Sequence, residues 1–135
     1  MSEQPPAGVE PVIRTIAMPA DTNPSGDIFG GWLMAQMDLA AGNVAARVAR
    51  GRSATIAVDE IKFHKPVKVG DEVTLYGKLL EVGRSSMKIE VIAWRRQRFG
   101  EFSERVTSAN FTFVALDADG RPRPVAPDLP LKPEG

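Results

Sequence analysis

An aspartate set in a run of small and apolar residues is the first candidate for chemistry in this chain. Asp38 closes the segment Trp32-Leu33-Met34-Ala35-Gln36-Met37-Asp38, and at helical spacing it falls beside Met34, Ala45 and Ala49. Such a carboxylate either leaves the helix at its edge to meet water or an arginine, or works as a general base or nucleophile. In the second case partial desolvation raises its pKa while the nearby helix N-terminus lowers it. Just upstream lies Gly26-Asp27-Ile28-Phe29-Gly30-Gly31-Trp32. Its glycines make either a plain loop-to-helix turn or a close backbone approach to a ligand. In the latter case the free N–H groups of Gly30 and Gly31 can bind a carbonyl oxygen or a developing oxyanion. The pattern is no phosphate-binding P-loop, because no Gly-Lys-Ser/Thr follows, and no dinucleotide fingerprint, because it does not follow a strand.

A third feature, Gly83-Arg84-Ser85-Ser86, falls between two strongly patterned strands. An arginine, two hydroxyls and exposed turn amides make either a solvated hairpin tip or a small anion site able to hold a phosphate. His64 ends a strand just before Pro66 and has no acid placed beside it by local spacing, so it reads as a structural or rim histidine. Arg95, Arg96 and Arg98, with only Phe99 and Phe102 interleaved, read as a solvated face or a subunit-interface charge rather than a nucleic-acid groove. Met34 and Met37 are core residues, or pliable lining for an acyl pocket next to Asp38.

Composition narrows the chemistry further. The chain has 135 residues, 17 Lys+Arg against 17 Asp+Glu, one His and no Cys. Without Cys there are no disulfides, thiolate nucleophiles, zinc ribbons or iron–sulfur clusters, and a lone His rules out His-rich metal sites. Balanced charge leaves no overall field to attract nucleic acid or an anionic membrane. The start, Met1-Ser2-Glu3-Gln4-Pro5-Pro6, lacks the basic and apolar stretches of a signal peptide, and no window approaches the ~20 apolar residues of a membrane span. A cytoplasmic location is expected.

These candidates need elements to hold them, and the periodicity supplies a short list. Ile13 to Met18 alternates as a short strand, and Pro19 to Asp27 is a run of turn formers. From Trp32 to about Arg50 the apolar spacing is helical, with Gly51 as the stop and Arg47 and Arg50 suiting the helix dipole. Ala35, Ala40, Gly42, Ala45, Ala46 and Ala49 make this helix small or apolar nearly all round, so it is expected to be enclosed. Strand follows strand thereafter: Thr55–Phe63, Glu72–Val82, Ser86–Arg96 and Ser103–Leu116. Their short breaks require antiparallel hairpins. One enclosed helix and about five antiparallel strands predict an α+β hotdog fold, a curved sheet wrapped around a central helix. The expected organisation is a flexible segment at 1–11, one domain over 12–120, and a tail over 121–135 whose five prolines keep it out of helix and sheet.

The stretch from Ile13 to Asp38, with Ala17-Met18-Pro19-Ala20-Asp21-Thr22-Asn23, Gly26-Asp27-Ile28-Phe29-Gly30-Gly31-Trp32 and Gln36-Met37-Asp38, resembles the signature of the YciA-type acyl-CoA thioesterases, bacterial hotdog enzymes related to the animal cytosolic acyl-CoA hydrolases. The likeness continues through Phe63-His64-Lys65-Pro66-Val67, Val69-Gly70-Asp71, Val82-Gly83-Arg84-Ser85-Ser86 and Phe111 to Asp117, and covers roughly residues 12–125. The resemblance implies hydrolysis of acyl-CoA to a free acid and CoA, with no cofactor beyond the CoA of the substrate. It implies Asp38 as the catalytic acid group, and Asn23 as its partner acting across a dimer interface. It further implies Gly30 and Gly31 amides at the thioester carbonyl, Gly83, Arg84, Ser85 and Ser86 at the CoA nucleotide, no metal, and a trimer of dimers. His64 departs from the Leu or Ile of some relatives. Two other readings stand beside it: a hotdog hydratase or dehydratase, which uses a His near the central helix, and a non-catalytic acyl-CoA-binding protein, which has no need of an Asp/Asn pair.

Overall fold

The computed structural model describes residues 4–125. It runs through strand β1 (Ile13–Ile16), a 3-10 turn (Pro19–Asp21), helix α1 (Gly30–Ala49) and strands β2 (Ser53–Phe63), β3 (Glu72–Val82), β4 (Ser86–Arg96) and β5 (Ser103–Ala115). The strands form one antiparallel sheet in the order β1-β3-β4-β5-β2. This is the hotdog arrangement of one long helix on a five-stranded sheet. The boundaries of β3 and β4 match the sequence pattern, while β2 begins at Ser53 and β5 ends at Ala115, each within two residues of expectation.

The core follows from the period of two. Met87, Ile89, Val91 and Ala93 of β4 are buried and meet Val73 and Leu75 of β3 and Phe111 and Phe113 of β5. Against this face α1 lays Leu33, Met37, Ala40, Ala41, Ala45 and Ala49. Gly77 of β3 lets the helix come close, since a Cβ there would stand 3.0 Å from Val44 Cγ2.

The helix is not enclosed by its own chain. The small residues along its length do pack on the sheet, but the sheet covers one side only: Leu39 is 61% exposed, and Ala35 and Ala46 also face outward. Five strands on one side cannot surround a cylinder about 10 Å across. The helix stop also differs from expectation. Arg50, not Gly51, takes the left-handed conformation (φ 55°), and its N–H donates to Ala46 O. Gly51 instead admits Arg123, whose Nη2 would lie 2.7 Å from a Cβ at that position.

Arg123 belongs to a segment that extends packing beyond the expected boundary at residue 120. Pro122 forms a bridge with Leu116, Arg123 N–H donates to Ala115 O, and Val125 N–H donates to Arg84 O. The expectation that prolines bar this segment from pairing fails because they alternate with donors: Pro122 and Pro124 need give no N–H, while Arg123 and Val125 do. Arg123 Nη2 also donates to Ala49 O at the end of α1, and Val125 is 3% exposed within the core. The rest of the tail, 126–135, lies outside the described residues.

Arg95 was expected on a solvated face or an interface; it is buried instead. Its guanidinium bonds Asp71 Oδ2 at 2.9 Å and Glu104 Oε2 at 2.7 Å. Burial works against the Arg95 charge, but the hydrogen bonds it donates to its two carboxylate partners, with their negative charge, outweigh it and the pKa moves up. The Arg95 hydrogen bond, opposed by desolvation, holds the Glu104 carboxyl below its ordinary value of 4.5. A carboxyl lowered on folding stabilises the protein at pH above its unfolded value and loses that contribution as pH falls through the folded one.

Two outcomes test this packing. Wild type is expected to be more stable to denaturant than Glu104→Gln at pH 7, with the gap narrowing as pH falls below 4.5; a gap equal at pH 7 and at strongly acid pH contradicts the ion pair. A chain truncated after Gly120 loses the burial of Val125, and is expected to unfold with about 2 kcal/mol less stability; unchanged denaturant midpoints contradict the packing of 121–125.

Candidate active site

The loop before α1 is built to hold one asparagine. Asn23 Oδ1 accepts from Ser25 N–H at 2.9 Å and Asp27 N–H at 3.1 Å, while Asn23 N–H donates to Asp27 O at 2.7 Å. Gly26 takes φ 87°, which closes the turn, and Thr22 bridges to Ile28. With two backbone donors on Oδ1, the orientation of the Asn23 amide is settled, and its NH2 makes no hydrogen bond among the described residues.

The chain then enters α1 through Phe29, an N-cap whose side chain makes no capping bond. Gly30 and Gly31 therefore begin the helix with N–H groups that no side chain caps. Gly30 lines a cleft of about 320 Å³ with Ile28, Phe29 and Leu33 on one side and Phe63, His64, Lys65, Pro66 and Val67 on the other. A Cβ at Gly31 would sit 3.2 Å from the Phe29 ring, so glycine there keeps Phe29 in place. His64 stands on the rim of this cleft, as its place at the end of β2 leads one to expect, and its backbone N–H donates to Val106 O.

Asp38 lies two turns into α1 and is half-buried. Thr55 Oγ1 donates to Asp38 Oδ1 at 2.6 Å. That hydroxyl comes from β2 next to a bulge, where the pairing with β5 shifts between Thr55 and Ala57, and bulges re-aim side chains in this way. Thr55 is the residue that sequence reasoning misses, because nothing in a strand-forming threonine announces that it faces a carboxylate 17 residues away.

Not all the candidates converge within one chain. No hydrogen bond joins Asn23 to Asp38 among the described residues; each bonds its own local partners. Gly83, Arg84, Ser85 and Ser86 do form a hairpin turn, closed by Gly83 N–H donating to Ser86 O at 2.8 Å. The carbonyls of Arg84 and Ser85 are taken by Val125 and Ala115 N–H, and the Arg84 side chain is exposed. This turn precedes β4, whereas Arg95 behind the cleft lies at its other end, ~33 Å away along a strand of eleven residues. The described residues contain no cluster of three metal-ligating side chains and no helix long and apolar enough to cross a membrane.

Residues 25–98 match the family model of the thioesterase superfamily, to which the chain therefore belongs. Within that superfamily it is one of the YciA-type acyl-CoA thioester hydrolases. It is 58% identical over 90% of its length to an uncharacterised acyl-CoA thioester hydrolase of Zymomonas mobilis, covering 81% of that protein. It is 45% identical to the acyl-CoA thioester hydrolase YciA of Salmonella typhimurium, over 86% of this chain and 90% of that one. A hexameric broad-specificity acyl-coenzyme A thioesterase, solved as an Asp-to-Ala mutant enzyme, superposes with a TM-score of 0.82 at 49% identity over 85% of each chain.

Thr55→Val keeps the shape of the side chain and removes the hydrogen bond that Thr55 gives to Asp38. The expected outcome is a drop of about tenfold in thioester turnover, the size of one lost orienting hydrogen bond, with thermal stability little changed. Turnover equal to wild type contradicts a role for Thr55 at the carboxylate.

Proposed function

We propose that this chain hydrolyses acyl-CoA thioesters to a carboxylic acid and free CoA, at a site completed by Asp38 of one chain and Asn23 of a partner chain. One observation carries the reading: Asp38 is oriented by Thr55, and the Asn23 NH2 has no partner among the described residues, yet each is half a site within its own chain. The exposed Leu39, Phe29, Ile56 and Phe63 on the helix and β2 side give a second copy an apolar surface to cover.

The chemistry asks little of the protein because a thiolate is already a good leaving group. Asp38 takes a proton from water, and the resulting hydroxide attacks the thioester carbonyl. The Gly30 and Gly31 N–H groups of the chain that supplies Asn23 stabilise the oxyanion, since those of Asp38's own chain lie about 12 Å from it along the helix, and collapse of the oxyanion expels the CoA thiolate. Asn23 NH2 holds the water or the carboxylate. The same carboxylate can instead attack directly, giving a mixed anhydride that water then opens. Single-turnover hydrolysis in labelled water separates the two routes: label in the Asp38 carboxyl marks the anhydride.

Arg84 and its turn suit the phosphates of CoA, and because they lie far from the cleft of their own chain, they serve a cleft on another. A hexamer in the cytoplasm, as the superposed thioesterase is hexameric, brings such surfaces together. The direct test is thiol release from a panel of acyl-CoAs. Asp38→Ala is expected to lose at least about a hundredfold in kcat while retaining CoA binding, and unchanged kcat removes Asp38 from the mechanism. A protein that binds acyl-CoA and releases no thiol would be a carrier rather than a hydrolase.

A further inference from the structure

One buried cation is linked both to a wall of the cleft and to the loop that carries Asn23. Arg95 is only 9% exposed, and its two carboxylate partners lead in different directions. Glu104 lies directly across from it on β5, and its Oε1 is 3.7 Å from Nζ of Lys65, which lines the cleft. Asp71 leads, through the turn that follows Val67, toward the loop that carries Asn23. Its Oδ2, which takes Arg95 Nη1, also accepts Lys68 N–H at 2.8 Å. The turn from Lys68 to Asp71 is stitched to the end of β1, with Gly70 N–H donating to Ala17 O at 2.8 Å and Ala17 N–H donating to Asp71 O at 3.0 Å. Ala17 opens the segment that leads to Asn23. From the same turn Lys68 Nζ reaches Asp27 Oδ1 at 3.3 Å, and Asp27 N–H is held by Asn23 Oδ1.

We propose that Arg95 is a positioning residue for thioester hydrolysis, which sets the Asn23 loop through Asp71, the 68–71 turn and the Lys68–Asp27 pair. This rests on the reading of Asn23 as part of the site. An ion pair between half-exposed groups such as Lys68 and Asp27 contributes little by itself. Anchored at one end to a buried guanidinium, it becomes the last link of a fixed geometry. Stability alone does not account for the arrangement. Buried ion pairs are commonly matched by apolar residues of the same volume, and Arg95 Nε has no hydrogen-bond partner among the described residues. What a charged chain supplies is a defined distance from the rigid sheet to the loop, and catalytic groups misplaced by about 1 Å lose on the order of a hundredfold in rate.

The test is a kcat-against-KM comparison on the purified oligomer with butyryl-CoA, coupled to a double-mutant cycle with Asn23→Ala. Arg95→Met is expected to lower kcat about tenfold and Lys68→Met about threefold, each with KM within about twofold, because the loop's position and not substrate affinity is altered. Neither is expected to change the rate further in an Asn23→Ala background, since both act through that residue. Where Arg95→Met does not fold, Lys68→Met at the surface decides alone. Wild-type kcat in the folded variants, or losses that multiply those of Asn23→Ala, overturn the proposal while leaving the hydrolase reading intact. Wild-type turnover of Asn23→Ala itself overturns the role of Asn23 and the proposal with it.

Discussion

A helix made of small residues can lie against a sheet on only one of its sides, and everything particular to this protein depends on what meets the other. Ala40, Ala41, Ala45 and Ala49 bring α1 close to the strands, and Gly77 brings it closer at Val44. The opposite side, with Ala35, Leu39 and Ala46, is left for something outside the chain. A helix polar on that side would end the structure there. This one continues it, and Asp38 lies between the two sides, half-buried, with a hydroxyl from the edge strand β2 already on one oxygen.

The cleft at the helix start is a consequence of the same close packing. Gly30 and Gly31 give the helix an uncapped beginning, and Phe63 to Val67 return from β2 to face it. Such a beginning offers backbone N–H groups to a carbonyl oxygen, and because Asp38 lies about 12 Å further along the same helix, these groups can share one substrate only with the aspartate of another chain. Rigid placement is what a reaction with a good leaving group still requires: little acid–base power, but a water, a carbonyl and a carboxylate in register. The loops that carry Asn23 and Lys65 are irregular, and their order comes from the Arg95 pairs and the turn at Asp71.

Much of this was legible in the residues. Strand-forming residues placed β3, alternation placed β4, and that alternation carries a lesson at Arg95: Met87, Ile89, Val91 and Ala93 point inward, and Arg95 continues their parity. Its position was readable as buried, though its charge argued for solvent. The glycines at the helix start and Asp38 stood out by type and spacing, the segment with Asn23 read only as a run of turn formers, and family likeness gave Asn23 its role. Three things lay beyond a linear reading. Thr55 depends on how α1 lies across β2, which only packing decides. The docking of 121–125 depends on which face of an extended proline-bearing segment meets the sheet. The open side of the helix depends on how far five strands curl, and composition alone suggested full enclosure.

The central claim is that one chain holds half a site. Co-refolding two inactive variants, Asp38→Ala and Asn23→Ala, in equal amounts tests it most directly. If the site spans two chains, each mixed dimer regains one intact site of its two, and the mixture recovers about a quarter of wild-type turnover. Activity no greater than the average of the two parents would place Asp38 and Asn23 in the same chain's site, or outside it, and contradict the account.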